Sequence, residues 1–484
     1  MLPATQKNCS LIPNNSYTLL YCLLLVLSAL ASYGQPLATA APKNILIGTI
    51  HFEGNLKTQT KIIAREMAIA PEMAFDSLGF QEALEVDRRK IVNTNLFITV
   101  EMKTQLDTDS LHTNITVIVK ERWYFIMLPI FQLADRNFNE WWYDRNRDLR
   151  RTIFGTYLSY GNVTGRADKL RLLAEFGFIP KFDISYSMPY IDKAQKTGVT
   201  VGASYSINKT TAFRTWNDKL DYLSSEDVNK RRFYTYFNIT RRNKFYSYHS
   251  LDLRWSSSTI SDTLRALNSN YFENEQNKKQ QYFQLSYTYS YDKRDNVQYP
   301  LRGQSWGFLA SKVGLLPTDD VNMAYAYGSY RKYFPISKKW FANSGVRARV
   351  SLPKKQPYLQ TIGLGFRNDL VRGYELYVVD GQDYALWKNE IKYQIFSVEK
   401  HFNWIPIKQF NTIPIAVYLN TFADAGYVKN YHPELSNTQL GNSLLYGAGT
   451  GLDIVTFYNM VLRFTYSVNA NKEGRFFFNI GREF

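Results

Sequence analysis

The chain has 484 residues, a formal net charge of +16, 16% aromatic residues and two cysteines, Cys9 and Cys22. In a soluble protein such a charge would suggest nucleic acid, but the basic residues are spread through turns, loops and one face of predicted strands, so no nucleic-acid partner is expected. Both cysteines lie in or before an N-terminal signal, which excludes a disulfide scaffold or a cysteine metal site in the mature chain.

Thr18 to Ala31 is a fourteen-residue run dominated by Leu, Ala and Val, followed by Ser32-Tyr33-Gly34-Gln35. It is too short to span a bilayer comfortably and ends in small residues. Residues 1–34 therefore read as a secretory signal cut after Gly34, with a second candidate cut after Ala40. No run of about 18 apolar residues follows, so no transmembrane helix is expected.

Residues 44–121 predict a small α+β domain. Ile45, Ile47, Ile50 and Phe52 mark a strand ending at Gly54-Asn55. Thr58 is expected to cap a helix carrying Ile62, Ile63 and Met67. A second helix over Asp76–Val92 places Leu78, Ala83, Val86 and Ile91 near one side. Leu96–Met102 and Thr113–Val119 then form two strands, a hairpin across Asp107–Leu111.

From Trp123 onward the period changes to 2. In Gln281–Asp292, Phe283, Leu285, Tyr287, Tyr289 and Tyr291 share one face and Gln284, Ser286, Thr288 and Ser290 the other. In Asn459–Val468, Met460, Leu462, Phe464, Tyr466 and Val468 oppose Val461, Arg463, Thr465 and Ser467. Sixteen such segments, from 123–133 to 475–484, predict an all-β transmembrane barrel of antiparallel strands over 123–484, with aromatic side chains toward lipid. Short turns such as Arg242–Lys244 and Pro335–Lys339 alternate with long connections at 207–231, 257–280 and 351–383. The 397–412 connection is longer than that scheme expects, and 179–180 shorter.

Parity gives the strands a lumen face. On 413–425, Ile413, Ile415, Val417 and Leu419 face lipid, which puts Tyr418, Asn420, Phe422 and Asp424 inside. On 384–396, Trp387, Ile391, Tyr393 and Ile395 face out, turning Lys388, Glu390, Lys392 and Gln394 inward. If loop 351–383 folds into the lumen, Arg372 reaches Asp424 and also Glu390, since its planar fork suits a carboxylate. Gly373 would let the chain turn tightly there. Parity alone leaves open the alternative of a solvated loop arginine and an ordinary lumen aspartate.

Four segments carry a family resemblance: Gly54-Asn55 through Leu96-Phe97 to Val119-Lys120-Glu121; Asp292-Lys293-Arg294-Asp295 with Pro300 and Gly303; Val371-Arg372-Gly373-Tyr374; and Phe422-Ala423-Asp424-Ala425-Gly426. In this order, and with the terminal Phe484, they resemble the BamA/TamA superfamily of outer-membrane assembly proteins, in a short form with a single POTRA-like unit. The resemblance implies a sixteen-stranded barrel in the bacterial outer membrane with its POTRA-like domain in the periplasm. It also implies that loop 351–383 is the family's long sixth loop, anchored by Arg372. The implied partners are outer-membrane lipids, unfolded outer-membrane or secreted client proteins, and periplasmic accessory proteins. It implies no cofactor. The alternative role is a secretion pore for one dedicated client.

Enzyme chemistry is not expected. Gly303-Gln304-Ser305-Trp306-Gly307 fits the G-x-S-x-G pattern, but the adjoining Phe308-Leu309-Ala310-Ser311-Lys312-Val313 reads as strand where a nucleophile elbow needs a turn and a helix. The five histidines are scattered without metal-ligand spacing. Gly447, Gly449 and Gly451 read as small residues permitting close packing in a strand.

Overall fold

The computed structural model describes residues 45–481 apart from 108–111, 193, 195, 245, 367–368, 402, 404–411, 436–437 and 457–459. The signal segment, both cysteines, the 108–111 hairpin tip and Phe484 lie outside the described residues. The chain divides into two compact units, one comprising residues up to Gly54 with Glu66–Lys120, the other Asn55–Arg65 with Glu121 onward.

In the first unit, β1 (Ile45–Glu53), β2 (Ala74–Phe75), β3 (Phe97–Leu106) and β4 (His112–Glu121) form a sheet in the order β2-β1-β4-β3. β1 runs parallel to β4. The helix Ser77–Asn93 begins where the Asp76 carboxylate accepts the Gly79 N–H at 3.1 Å. Its buried stripe is Phe80, Leu84, Asp87 and Ile91, whereas Leu78 is 82% exposed. The stripe is therefore rotated from the expected one. The reason is Asp87, whose Oδ2 accepts the Ala68 and Ile69 N–H groups at 2.7 and 2.9 Å, so a carboxylate occupies a position that apolar periodicity assigns to a hydrocarbon.

The second unit opens with a short helix, Thr60–Ala64. Its N-cap is Gln59 and not Thr58. The Thr58 hydroxyl is engaged by Tyr124 and Asn162, and its N–H by Glu121, so it is not available for capping.

Sixteen antiparallel strands follow, each paired with the next along the sheet. The first five are β5 (Phe125–Leu133), β6 (Thr152–Gly161), β7 (Lys169–Gly177), β8 (Lys181–Met188) and β9 (Thr197–Asn208). A separate hairpin, β10 (Thr210–Trp216) with β11 (Lys219–Ser224), then interrupts the series. The sheet resumes with β12 (Lys230–Lys244), β13 (Ser247–Ile260), β14 (Lys279–Asp292), β15 (Gly303–Val313), β16 (Met323–Pro335), β17 (Trp340–Leu352), β18 (Asp383–His401), β19 (Thr412–Lys429), β20 (Leu444–Val455), β21 (Val461–Asn469) and β22 (Gly474–Gly481). Much of the expected long 397–412 connection is strand, because β18 and β19 pair as far as His401 and Thr412.

Side chains alternate as the pleat requires. On β21, Phe464, Tyr466 and Val468 are exposed while Val461, Arg463, Thr465 and Ser467 are buried. On β19, Tyr418, Asn420, Phe422 and Asp424 are buried and Leu419 is 46% exposed. Val417 departs from its expected lipid exposure, being 8% exposed. It lies where the β18 register shifts between Gln394 and Phe396, and such a bulge breaks the alternation locally.

The two ends of the sheet are β5 and β22, and among the described residues no ladder pair joins them. The expected closing strand runs to Phe484, and its last residues, 482–484, lie outside the described residues. β5 is exposed on both faces at Phe125, Ile126, Met127 and Leu128, and it contains Pro129, a residue that cannot donate to a ladder and is tolerated on edge strands.

Asp87→Ala should leave the Ala68 and Ile69 N–H groups without this acceptor, a loss of about 1–3 kcal/mol at buried Ile69 and less at exposed Ala68, where water can replace it. Hydrogen exchange should accelerate at Ala68 and Ile69 and across the first unit, with barrel segments unchanged. Leu78→Ser, at the exposed position, should leave the same exchange pattern unaltered.

Candidate functional site

The site is built where the β17–β18 connection, residues 353–382, meets the inward faces of β18 to β21. Leu364, Val371, Tyr374 and Val379 of the loop pack with Tyr384, Leu386, Val428 and Leu445 of the strands in one buried cluster. The strands leave room for this. A Cβ on Gly447 would collide with the Arg372 carbonyl oxygen, and one on Gly426 would sit 2.6 Å from the Val371 side chain. Gly373 turns the loop with φ +100°, in the left-handed region that favours glycine.

Arg372 lies at the centre and is 4% exposed. Its Nε donates to Asp424 Oδ2 and its Nη2 to Asp424 Oδ1, both at 2.7 Å, the bidentate fork that gives strong, directional pairing. Nη1 donates to Glu390 Oε1 at 3.3 Å and Nη2 also to the Asn389 carbonyl at 3.1 Å. The Phe422 ring lies 3.8 Å from the guanidinium carbon, centroid to atom, closing one face by a cation–π contact. The Arg372 backbone N–H also points at Asp424, at 3.2 Å. Of the groups that sequence parity turned inward on β18 and β19, Lys388, Glu390, Lys392, Tyr418, Asn420, Phe422 and Asp424 are buried, and Gln394 is only partly so.

The pair continues into a wider lumen network. Glu390 accepts from Asn343 Nδ2 at 2.9 Å and meets Lys392 Nζ at 3.5 Å. Lys392 stands 4.0 Å from the centre of the Tyr299 ring, and the Tyr299 hydroxyl donates to Asp453 Oδ2 at 2.9 Å. Asp453 is in turn held by Arg463 Nε at 2.8 Å and by Asn420 Nδ2 at 2.8 Å.

Arg294 and Asp295 lie apart from Arg372 and shape the turn that delivers Tyr299. Arg294 bonds Asp292 through Nε at 2.8 Å, and Asp295 Oδ1 accepts the Leu301 N–H at 3.0 Å. Val371 and Gly426 meet in the loop-to-strand contact. The Tyr374 hydroxyl accepts the Ala470 N–H at 3.2 Å.

Several contributors were not singled out from sequence. Arg347 Nη1 donates to Asp369 Oδ1 at 2.6 Å, a second ion pair on the same loop, and Tyr384 donates to the other oxygen. Its signal was available, since Arg347 has inward parity on β17 and Asp369 precedes Arg372 by three residues. Asn469 and Glu473 grip the loop through the Gly373 carbonyl and the Tyr377 hydroxyl; turn residues carry no periodic signal. Ser305 of the G-x-S-x-G segment lies within β15, paired with Asp292 and Arg331 across the ladder.

Residues 162–484 match the Omp85 superfamily domain. No curated protein matches the chain. Among solved structures, BamA from Haemophilus ducreyi lacking POTRA domains 1–3 aligns with a TM-score of 0.59 at 18% identity, covering 91% of this chain and 85% of that one. CdiB from Escherichia coli aligns at 0.52 and 11%, covering 99% and 100%, and CdiB from Acinetobacter baumannii at 0.51 and 14%, covering 91% and 74%. At these identities the likeness is one of fold.

Arg372→Ala or Asp424→Ala leaves a buried charge without its partner, which costs on the order of 3–5 kcal/mol where water is excluded and less where it enters. Each should expose loop 353–382 to protease, and the double variant should be little worse than either single. Gly447→Ala, which pushes on the Arg372 carbonyl without touching a charge, should expose the same loop. Strictly additive effects of the two charge removals would mean that the pair does not hold the loop.

Proposed function

Because the chain belongs to the Omp85 superfamily, whose members serve insertion into or translocation across the bacterial outer membrane, we propose that it assists insertion of other barrel proteins through a lateral seam. The observation that carries this reading is a filled lumen beside a sheet edge on β22 that the helix Phe138–Tyr143 contacts and, among the described residues, no strand does. Loop 353–382 is packed and ion-paired inside, while β5 and β22 end the sheet without a ladder between them among the described residues. A client strand would therefore meet backbone groups at the seam that side chains hold, and an obstacle in the lumen. Exposed strand edges recruit further strands because each unpaired N–H and C=O gains a partner.

The first unit fits the early step. A small four-stranded sheet with a helix can take an incoming extended segment by strand addition, the mode expected of a POTRA-like domain. Its place is the periplasmic side of the outer membrane. No covalent step is needed: transfer from the first unit to the seam exchanges one set of backbone hydrogen bonds for another.

The second reading is a secretion pore for one dedicated client. It is favoured by the polar character of the loop anchors, since water can replace the Arg372, Asp424 and Arg347 contacts if the loop moves.

Locking tells the two readings apart. No cysteine follows Cys22, so pairs can be placed between Phe125–Phe131 and Phe476–Ile480, where a disulfide needs Cα atoms within about 7 Å. A seam lock should abolish client insertion, with activity returning on reduction. A cysteine pair fixing the loop to β19 or β20 should leave insertion intact. The reverse pattern would establish passage through the lumen.

A further inference from the structure

The edge of β22 away from β21 is occupied, among the described residues, by a piece of the chain's own first loop. The connection 134–151 between β5 and β6 contains a helix, Phe138–Tyr143. The Phe478 N–H donates to Asn139 Oδ1 at 2.9 Å, and the Tyr143 hydroxyl donates to the Phe476 carbonyl at 2.9 Å. Residues two apart on a strand direct their backbone groups to the same edge. These bonds therefore fall on one edge of β22, where a pairing strand would sit. Asn139 Nδ2 reaches Asn479 Oδ1 at 3.4 Å, and the Phe138 ring meets the Phe478 ring edge-on at 5.4 Å.

The helix is held from behind by buried charge. Glu140, 1% exposed, bonds Arg136 Nε and Arg145 Nη2, both at 2.7 Å. Burial alone would raise its carboxyl, but Arg136 and Arg145 outweigh that and keep it below the ordinary carboxylate range. Asn137 caps the helix by accepting the Glu140 N–H at 2.8 Å.

The same segment grips the lumen loop. Arg136 Nη1 donates to the Gly365 carbonyl at 2.5 Å and to that of Tyr377 at 3.2 Å, and Asn137 Nδ2 donates to the Glu375 carbonyl at 2.9 Å. Glu375 Oε2 accepts the Gly373 N–H, next to Arg372.

We infer that the helix Phe138–Tyr143 is a removable cap on the β22 edge: it occupies the backbone groups that an extended client strand would pair with, and its departure loosens loop 353–382. The inference rests on the lateral-seam reading above. The helix satisfies an N–H and a C=O on a strand edge that no ladder partner covers among the described residues, and it does so through two side chains. A strand can replace these with a continuous run of backbone bonds. The Arg136 and Asn137 bonds to loop carbonyls make release of the edge and release of the loop a single event.

The test uses the full-length protein in detergent and a fluorescent peptide of the β5 sequence Phe125–Leu133, the strand that closure of the sheet would place on this edge. Asn139→Ala with Tyr143→Phe removes both edge bonds and leaves the Glu140 ion pairs, and should raise peptide affinity about tenfold. It should also increase hydrogen exchange across loop 353–382. Asn139→Cys with Asn479→Cys, joined by a short thiol crosslinker, should abolish peptide binding until the linker is cleaved. Heat-dependent gel mobility reports that each variant is folded. Equal binding by the crosslinked and uncrosslinked protein, or no gain in the double variant, would overturn the cap. If the β5–β22 lock has no effect on insertion, the seam reading fails; if that lock blocks insertion while the helix crosslink leaves peptide binding unchanged, the cap alone is wrong.

Discussion

A guanidinium sealed inside a barrel wall must have a carboxylate beside it, and much of the second unit is arranged around meeting that demand. Arg372 is supplied by a loop and Asp424 by a strand, fifty-two residues apart in sequence. The pair forms only if the loop backbone lies directly on β20, which is why residue 447 has no side chain. It also requires the loop to reverse within a residue, which Gly373 permits at positive φ. A buried ion pair adds little net stability over an apolar substitute, because desolvation opposes the Coulomb gain, but it penalises any other loop position heavily. Its effect is positional.

The lumen network has the same logic on a larger scale. Arg372, Lys388, Lys392 and Arg463 face Asp424, Glu390 and Asp453, with Tyr299 bridging from the opposite turn. Contributions come from β18, β19, β20 and β21 and from the two connections that hold Tyr299 and Arg372, so the charges tie together elements whose backbones pair only with their immediate neighbours. Apolar packing is confined to clusters, such as the one around Val371 and Tyr374. The interior is thus one that water can enter when an element withdraws, while the outer face of Trp387, Ile391, Phe464 and Tyr466 stays in hydrocarbon.

Legibility in the sequence came from period. A strand inverts its side chains at every residue, so Met460 to Val468 and Trp387 to Ile395 sorted themselves into two faces once one was recognised. The burial of Glu390, Asp424 and Arg463 obeys that rule. The rule fails where a register shift intervenes, as at Val417. Helical periodicity failed on the first unit for a different reason, since Asp87 is buried to serve the Ala68 and Ile69 amides, and nothing in a hydropathy pattern marks a carboxylate with that duty. Connections have no period at all. The β10–β11 hairpin, the helix Phe138–Tyr143 and the entry of Tyr299 into the lumen depend on where each loop lands, which is tertiary information.

The seam is where these constraints conflict. A sheet in lipid should have no edge, because each unpaired backbone group there costs several kcal/mol. Yet a sheet sealed by a full ladder would give a client strand nothing to pair with. This chain ends β5 with exposure on both faces and Pro129 in its ladder, and it covers part of the β22 edge with two side chains and an aromatic contact. Side-chain caps satisfy the edge groups one at a time, so they can be lost one at a time, whereas strand pairing is gained cooperatively along its length. On the proposed reading, that asymmetry would let an edge be protected at rest and still accept a strand, and the bonds from Arg136 and Asn137 to the Arg372 loop lie immediately before the same short helix.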